Sequence, residues 1–232
     1  MHDCPHLTPR LTLAADFVRP GARLADIGTD HAYLPVYLLK TGRITRALAC
    51  DINRGPLGRA LATVKKYGVS DRVELRLSDG LDRVAADEAE DIVIAGMGGE
   101  LIRNIVAHCS WMKDSRRRLI LQPMTSAGEL REFLVSDGFS IVQEAVAREG
   151  NKLYVVICAE YTGSKMLPNE IFKICGTLPR TGGALEREYL LRQAESLFKK
   201  ADGMRKSRRG LDGETTQALA ESIRAIAEKI KQ

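Results

Sequence analysis

Arg23-Leu-Ala-Asp-Ile-Gly-Thr-Asp-His-Ala-Tyr-Leu-Pro35 is the stretch from which the rest of the chain is read. A short apolar run ends in an acid and a glycine and then gives way to helical spacing. Residues 22–27 read as a buried strand, Gly28 to His31 as a tight loop, and Tyr33 to Lys40 as a helix stopped by Gly42. Pro35 has no N–H to donate, so it belongs in the first turn and sets the helix start at about Ala32 or later. A strand, a glycine turn and a helix N-terminus form a nucleotide pocket, because glycine admits a ligand to the backbone and the helix offers unpaired N–H donors.

Pyrophosphate-binding loops place three glycines at fixed positions, and after Gly28 this loop has Thr29 and Asp30 where two of them would fall. Asp30 would also repel a pyrophosphate, which counts against NAD. S-adenosylmethionine (SAM) carries no phosphate and has a cationic sulfonium and ammonium, so acids beside the loop suit it.

Each of the next strands ends similarly. Residues 46–51 form an apolar strand ending in Asp51, about twenty residues beyond the loop glycine, where an acid hydrogen-bonds ribose hydroxyls. An aspartate there equally caps a helix starting near Asn53, and spacing alone does not choose. Residues 73–77 alternate as a strand and run into Ser78-Asp-Gly80. Three strands ending in acid at one sheet edge are hard to explain as caps; Asp26 or Asp30, Asp51 and Asp79 are expected to converge on one ligand. Asp91 to Gly99 is a buried strand running into glycines, residues 118–123 a fifth strand, and residues 126–136 a helix. Phe139 to Ala147 and Lys152 to Tyr161 are strands joined by only four residues, which forces an antiparallel hairpin. A parallel sheet finished by a hairpin is the plan of SAM-dependent methyltransferases and not of dehydrogenases. Ahead of the sheet, Thr8 is read as the cap of a short helix with Pro9 in its first position.

The predicted fold is therefore α/β: a Rossmann-like methyltransferase sheet over residues 1–162, and a C-terminal coiled-coil hairpin over residues 163–232. After a loop rich in glycine and proline, apolar residues at 190, 194, 197, 201 and 204, and again at 219, 223, 226 and 230, step by threes and fours. The two seams meet near Gly210 to Gly213. The net charge of +5 lies wholly in this tail: residues 1–162 carry 21 basic and 21 acidic side chains, residues 163–232 carry 14 and 9. Lys199, Lys200, Arg205, Lys206, Arg208 and Arg209 cluster beside the turn, placed to meet the phosphates of a polyanion; a solvated helical surface is the plainer account of the charge. No apolar run is long enough to span a bilayer and the N-terminus lacks a signal-peptide core, so a cytoplasmic, soluble protein is expected. Five scattered cysteines suggest neither disulfides nor zinc. His2, Cys4 and His6 alternate at the N-terminus, where a solvated end is expected in preference to a metal site.

On the runs Ala25 to Pro35, Ser78 to Gly80, Ala95-Gly-Met-Gly-Gly99 and Leu121-Gln-Pro123, the chain resembles the bacterial tRNA (adenine-22-N1)-methyltransferase family. The resemblance implies a class I SAM-dependent enzyme with tRNA as partner and a C-terminal coiled coil that helps to hold it. It implies that Asp26 and Gly28 shape the methionine end of the cofactor pocket, that Asp51 takes the ribose, and that Asp79 and Gly80 take the adenine. Met97, Gly98 and Gly99 would lie beside the sulfonium and the incoming base. Thr29, His31, Ile52 and Gly96 are counted with the cofactor set. Adenine N1 has an in-plane lone pair, so no base need remove a proton. Asp30 is the candidate for stabilising charge on the base, and Tyr33 is either a stacking platform or a core aromatic. The Gly-Met-Gly-Gly run replaces the Asn/Asp-Pro-Pro-aromatic motif of exocyclic-amine methyltransferases, which favours N1 over N6. A small-molecule methyltransferase and a non-catalytic SAM- or RNA-binding protein remain the alternatives.

Overall fold

A computed structural model describes residues 4–206 and 210–230. The elements in chain order are α1 (Pro9–Phe17), β1 (Leu24–Ile27), α2 (Tyr33–Lys40), β2 (Ala47–Asp51), α3 (Arg54–Lys66), β3 (Val73–Leu77), β4 (Asp91–Met97), α4 (Gly99–His108), β5 (Arg118–Pro123), α5 (Ala127–Ser136), β6 (Phe139–Glu149), β7 (Lys152–Tyr161), α6 (Glu170–Cys175), α7 (Leu178–Thr181), α8 (Ala184–Lys206) and α9 (Gly210–Lys229). The sheet order is β3-β2-β1-β4-β5-β7-β6, parallel through β5, with β7 antiparallel to both its neighbours.

Side chains alternate across each strand, so the sheet builds a core on both faces. Leu24, Ala49, Val93 and Ile120 pack with α1, α2 and α3, whereas Ala25, Ile27, Leu48, Ile92 and Ile94 pack with α4 and α5. The second core continues without a break into the tail: Leu190 and Ala194 of α8 and Ile223, Ala227 and Ile230 of α9 join Phe139 and Val146 of β6. A buried glutamate fixes this docking, with Glu186 Oε1 accepting the Val146 N–H at 2.9 Å.

Four local expectations change. Thr8 precedes α1, but its hydroxyl makes no cap bond; Pro9 fills the first helical position as expected. β6 extends two residues past Ala147, leaving a two-residue turn at Gly150 and Asn151. The stretch after Gly163 contains two short helices, because Asn169 caps α6 by accepting the Phe172 N–H at 2.8 Å and Pro179 suits the first turn of α7. Gly213 lies inside α9 instead of in a turn: a Cβ there would stand 3.0 Å from Arg205 Cγ and 3.2 Å from the Ala201 carbonyl oxygen, so the glycine lets the two helices approach.

Candidate active site

The carboxyl ends of β1, β2, β4 and β5 are tied into one rim. Gly28 and Thr29 donate to the Cys50 carbonyl at 2.8 and 2.9 Å, and Ser78 donates to the Asp51 carbonyl at 2.9 Å. Across the rim, Met124 donates to the Met97 carbonyl at 2.8 Å and Gly99 to the Thr125 carbonyl at 2.9 Å. Gly28 has φ +79°, and any Cβ on it would collide with Met97 Cε, so the β1 loop and the β4 end touch. The positive φ is the demand that favours glycine, since the end of the Met97 side chain can shift. Gly99 likewise has no room for a side chain, its Cα lying against the Thr125 and Ser126 carbonyls at the start of α4. Gly80 (φ +49°) rests on Ile105.

The acids differ in surroundings. Asp26 is buried; loss of hydration pushes its carboxyl up to about 6, the Thr29 hydroxyl pulls the other way, and the Asp51 charge adds to the rise. Asp51 is half-buried, and its Oδ1 accepts the Asn53 N–H at 2.7 Å. Its backbone place at the end of β2 satisfies the turn while Asn53 stands at the helix cap. Asp79 is exposed beyond β3, in a turn that Ser78 braces by donating to the Gly80 carbonyl at 3.1 Å and accepting the Arg83 N–H at 3.1 Å.

Several large apolar side chains on this rim remain in solvent. Tyr33, Ile52, Leu101 and Met124, which follow β1, β2, β4 and β5 respectively, are each at least 40% exposed. An apolar fringe around buried and half-buried acids suits a ligand with a flat hydrophobic ring and cationic ends. His31 and Tyr33 stack with ring centroids 5.0 Å apart and 3° between planes. Asp30 points outward, paired with Arg59 of α3 and 3.4 Å from His31 Nε2.

Residues to which the sequence assigned no role complete the rim. Gln122 is fully buried; its Oε1 accepts the Gly96 N–H at 3.1 Å and Arg10 Nη1 at 2.9 Å, and its Nε2 donates to the Pro123 carbonyl at 2.9 Å. Gln122 thereby holds the positive-φ backbone of Gly96, and an amide inside an apolar strand was the available signal. Arg10 and Arg59 reach the rim from other elements, which no local pattern records.

The basic residues of the tail stand apart. Lys199 pairs with Glu195 at 2.8 Å and Lys206 with Asp202 at 2.9 Å, while Lys200 and Arg205 are exposed. At 1.5 Å per residue, Lys206 lies roughly 25 Å along α8 from Tyr189, where the helix passes the sheet. Arg208 and Arg209 lie outside the described residues, as does His2. Among the described residues no group of three or more potential ligands would hold a metal, and no helix is long and apolar enough to cross a membrane. No disulfide joins the described cysteines; burial in β2 pushes the Cys50 thiol up to about 12.

Residues 7–157 match the family model described as a methyltransferase domain. The tRNA (adenine(22)-N(1))-methyltransferase of Bacillus subtilis (strain 168) is 38% identical over 154 residues, spanning 66% of this chain and 65% of that protein. Among solved structures, the B. subtilis m1A22 tRNA methyltransferase TrmK superposes with a TM-score of 0.80 at 28% identity, covering 97% of this chain and 98% of that one. M. capricolum TrmK, in complex with the cofactor product S-adenosyl-homocysteine, gives a TM-score of 0.80 at 28% identity, covering 97% and 99%.

Proposed function

We propose that this chain, which belongs to the methyltransferase-domain family, transfers a methyl group from SAM to N1 of adenine 22 in tRNA. The observation that carries the cofactor is the rim itself: acids at the ends of β1, β2 and beyond β3 surround a loop with a single glycine. Such a set suits a cationic, phosphate-free nucleoside and repels a pyrophosphate. Gly28 brings the β1 loop against the Met97 side chain, so the ends of β1 and β4 assigned to this ligand adjoin. When bound, SAM supplies a methyl group on a sulfonium.

In this role Asp26, Gly28, Thr29 and His31 hold the methionine end, Asp51 and Ile52 the ribose and its surroundings, and Asp79 with Gly80 the adenine edge. Gly96, Met97, Gly98 and Gly99 line the path of the incoming base. Because N1 already carries a lone pair, these residues orient and desolvate and none has to take a proton. Tyr33, supported by its stack on His31, offers a face for the unstacked base. Asp30, steadied by Arg59, is the carboxylate nearest in sequence to that face and lends negative charge to a base becoming cationic.

The reaction named for the B. subtilis relative supports adenine 22 as acceptor, and the missing Pro-Pro-aromatic motif supports N1. An adenine in folded tRNA must be unstacked at a cost of roughly a few kcal/mol. Residues 163–232, with Lys199, Lys200, Arg205, Lys206, Arg208 and Arg209, are assigned to gripping the RNA that offsets this cost, and residues 1–162 to the chemistry. A tRNA substrate supports a cytoplasmic location.

The test is methyl transfer from labelled SAM to an unmodified tRNA transcript beside one with adenine 22 changed to guanine, followed by nucleoside mass spectrometry. N1-methyladenosine only in the first is expected. SAM binding without incorporation would reject the acceptor, and equal incorporation in both would reject the position.

A further inference from the structure

A cavity of about 710 Å³ lies apart from the acids. It opens on the far side of Pro123 and Met124, between the first turn of α5, the start of β7 and the passing helix α8. Three features make its lining an anion receptor. The first is the N-terminus of α5. Ser126 sits in the left-handed region at φ +55° and makes no side-chain cap, so the first N–H groups of this ten-residue helix have no intrahelical acceptor, and their residues, Ala127 to Glu129, line the cavity. Gly128 lets the start of α5 pack against the Lys173 backbone of α6, since a Cβ there would stand 3.3 Å from the Lys173 carbonyl oxygen.

The second is Arg131, which is 1% exposed and lines the same cavity. Its Nε donates to Glu144 Oε1 at 2.7 Å and its Nη1 to the Lys173 and Ile174 carbonyls at 2.8 and 2.9 Å. Burial works against its charge, and the Glu144 carboxylate and the Tyr189 phenol on the cavity wall outweigh that cost. Its Nη2 is buried and meets no acceptor with hydrogen-bond geometry among the described residues. A buried guanidinium N–H without an acceptor is costly, and a ligand oxygen is the natural completion. The third is charge. Lys152, Lys173 and Arg192 also line the cavity, against one lining carboxylate, Glu129. Lys173 is paired with Glu132 and Glu170, and Arg192 with Glu188, whereas Lys152 has no acidic partner among the described residues. An uncapped helix start with a guanidinium beneath it is the arrangement that binds phosphate oxygens.

We propose that this cavity is a phosphate site and, resting on the tRNA methyltransferase reading above, that its occupant is a backbone phosphodiester of the RNA beside the target adenine. Position argues for that occupant. The Met124 N–H is bonded to the Met97 carbonyl on the methyl-transfer rim, so the cavity adjoins the rim on the side from which α8 leads to the basic tip. A phosphate held here would anchor the strand next to the base, and the tip would hold the more distant backbone.

Two measurements on the full chain test this. The first follows backbone amide shifts of the 15N-labelled protein during titration with inorganic phosphate, against chloride at equal ionic strength. The amides of Ala127, Gly128 and Glu129 are expected to move, and to move less in the Lys152→Gln/Arg192→Gln variant. The second measures binding of tRNA carrying single neutral methylphosphonate linkages near position 22. One linkage is expected to weaken binding about tenfold in the unaltered protein and to have little further effect in the variant, whose salt slope falls by about 1 for each phosphate no longer neutralised. SAM affinity should stay unchanged.

Still amides, with every linkage tolerated alike, would overturn the site. Moving amides with no linkage singled out would overturn RNA as occupant. Moving amides together with failure to methylate adenine 22 would instead reject the substrate and leave the phosphate site standing.

Discussion

Two guanidinium–carboxylate pairs differ sharply in burial. Arg131 and Glu144 are 1% and 0% exposed at the side chain, and they join α5 to β6 and to the loop before α7, where Thr177 donates to the same carboxylate from its N–H at 2.5 Å and its hydroxyl at 3.1 Å. Asp30 and Arg59 are 61% and 49% exposed and join a loop to a helix at the rim of the candidate site. Water screens the second pair almost completely, so it orients groups at little energetic cost or gain. The first is isolated from water, so each partner is needed chiefly because the other is there. The difference teaches where to look: the buried pair joins elements of the architecture, whereas the exposed pair keeps its charges within reach of solvent and ligands.

The sharpest way to break that comparison is to remove one half of the buried pair. Glu144→Ala strands the Arg131 charge and the Thr177 donors, and should cost about 3–5 kcal/mol in urea unfolding. Arg131→Met combined with Glu144→Met should recover most of that loss, because neither charge is then left alone. If the single change were as mild as a surface substitution, the buried pair would not be the joint between α5 and β6.

Asp26 sharpens the comparison as a buried carboxyl with no cation paired to it among the described residues. Its folded pKa of about 6 stands above the ordinary 3.8, so between those values the folded chain keeps a proton that the unfolded chain releases. Stability should therefore fall as pH rises from about 4 to about 6 and stay lower above it, by up to about 3 kcal/mol. Asp26→Asn should flatten this dependence in denaturation series run from pH 4 to 7. A cationic ligand beside Asp26 would favour the ionised form, so SAM affinity should rise with pH through about 6 and lose that rise in the Asn variant.

The smallest effect belongs to the exposed pair. Arg59→Ala or Asp30→Asn should change stability by less than about 1 kcal/mol, with the difference fading in high salt. Function separates the two partners: Asp30→Asn should lower turnover on tRNA at unchanged SAM affinity. Full turnover in that variant would remove Asp30 from the chemistry.

Much of the fold was legible because its signals are local. Apart from Asp26 and Asp91, residues 24–27 and 91–95 are apolar on both faces, as strands covered by helices on each side must be, and the short link between Ala147 and Lys152 left no room for a crossover. The rim was legible for the same reason, since Gly28, Asp51 and Gly80 each sit where a strand ends. α6 was hidden because glycine and proline dominate its surroundings, although Asn169 three residues before Phe172 carried a cap signal. Gly213 reads as a turn from its type alone, while the reason for it is the nearness of α8.

By itself, then, the amino-acid sequence determined the order of strands and helices, the parallel sheet with its final hairpin, and the acids and glycines at the strand ends, because periodicity and turn chemistry act over a few neighbouring residues. Only the tertiary structure decided which polar groups meet. Arg10 finds Gln122 across 112 positions, Arg59 finds Asp30 across 29, and Arg131 reaches the carbonyls of Lys173 and Ile174 while lining a cavity beside them. Such meetings depend on packing the whole sheet between its helices, and charge–charge and hydrogen-bond energies follow distance in space and not separation along the chain.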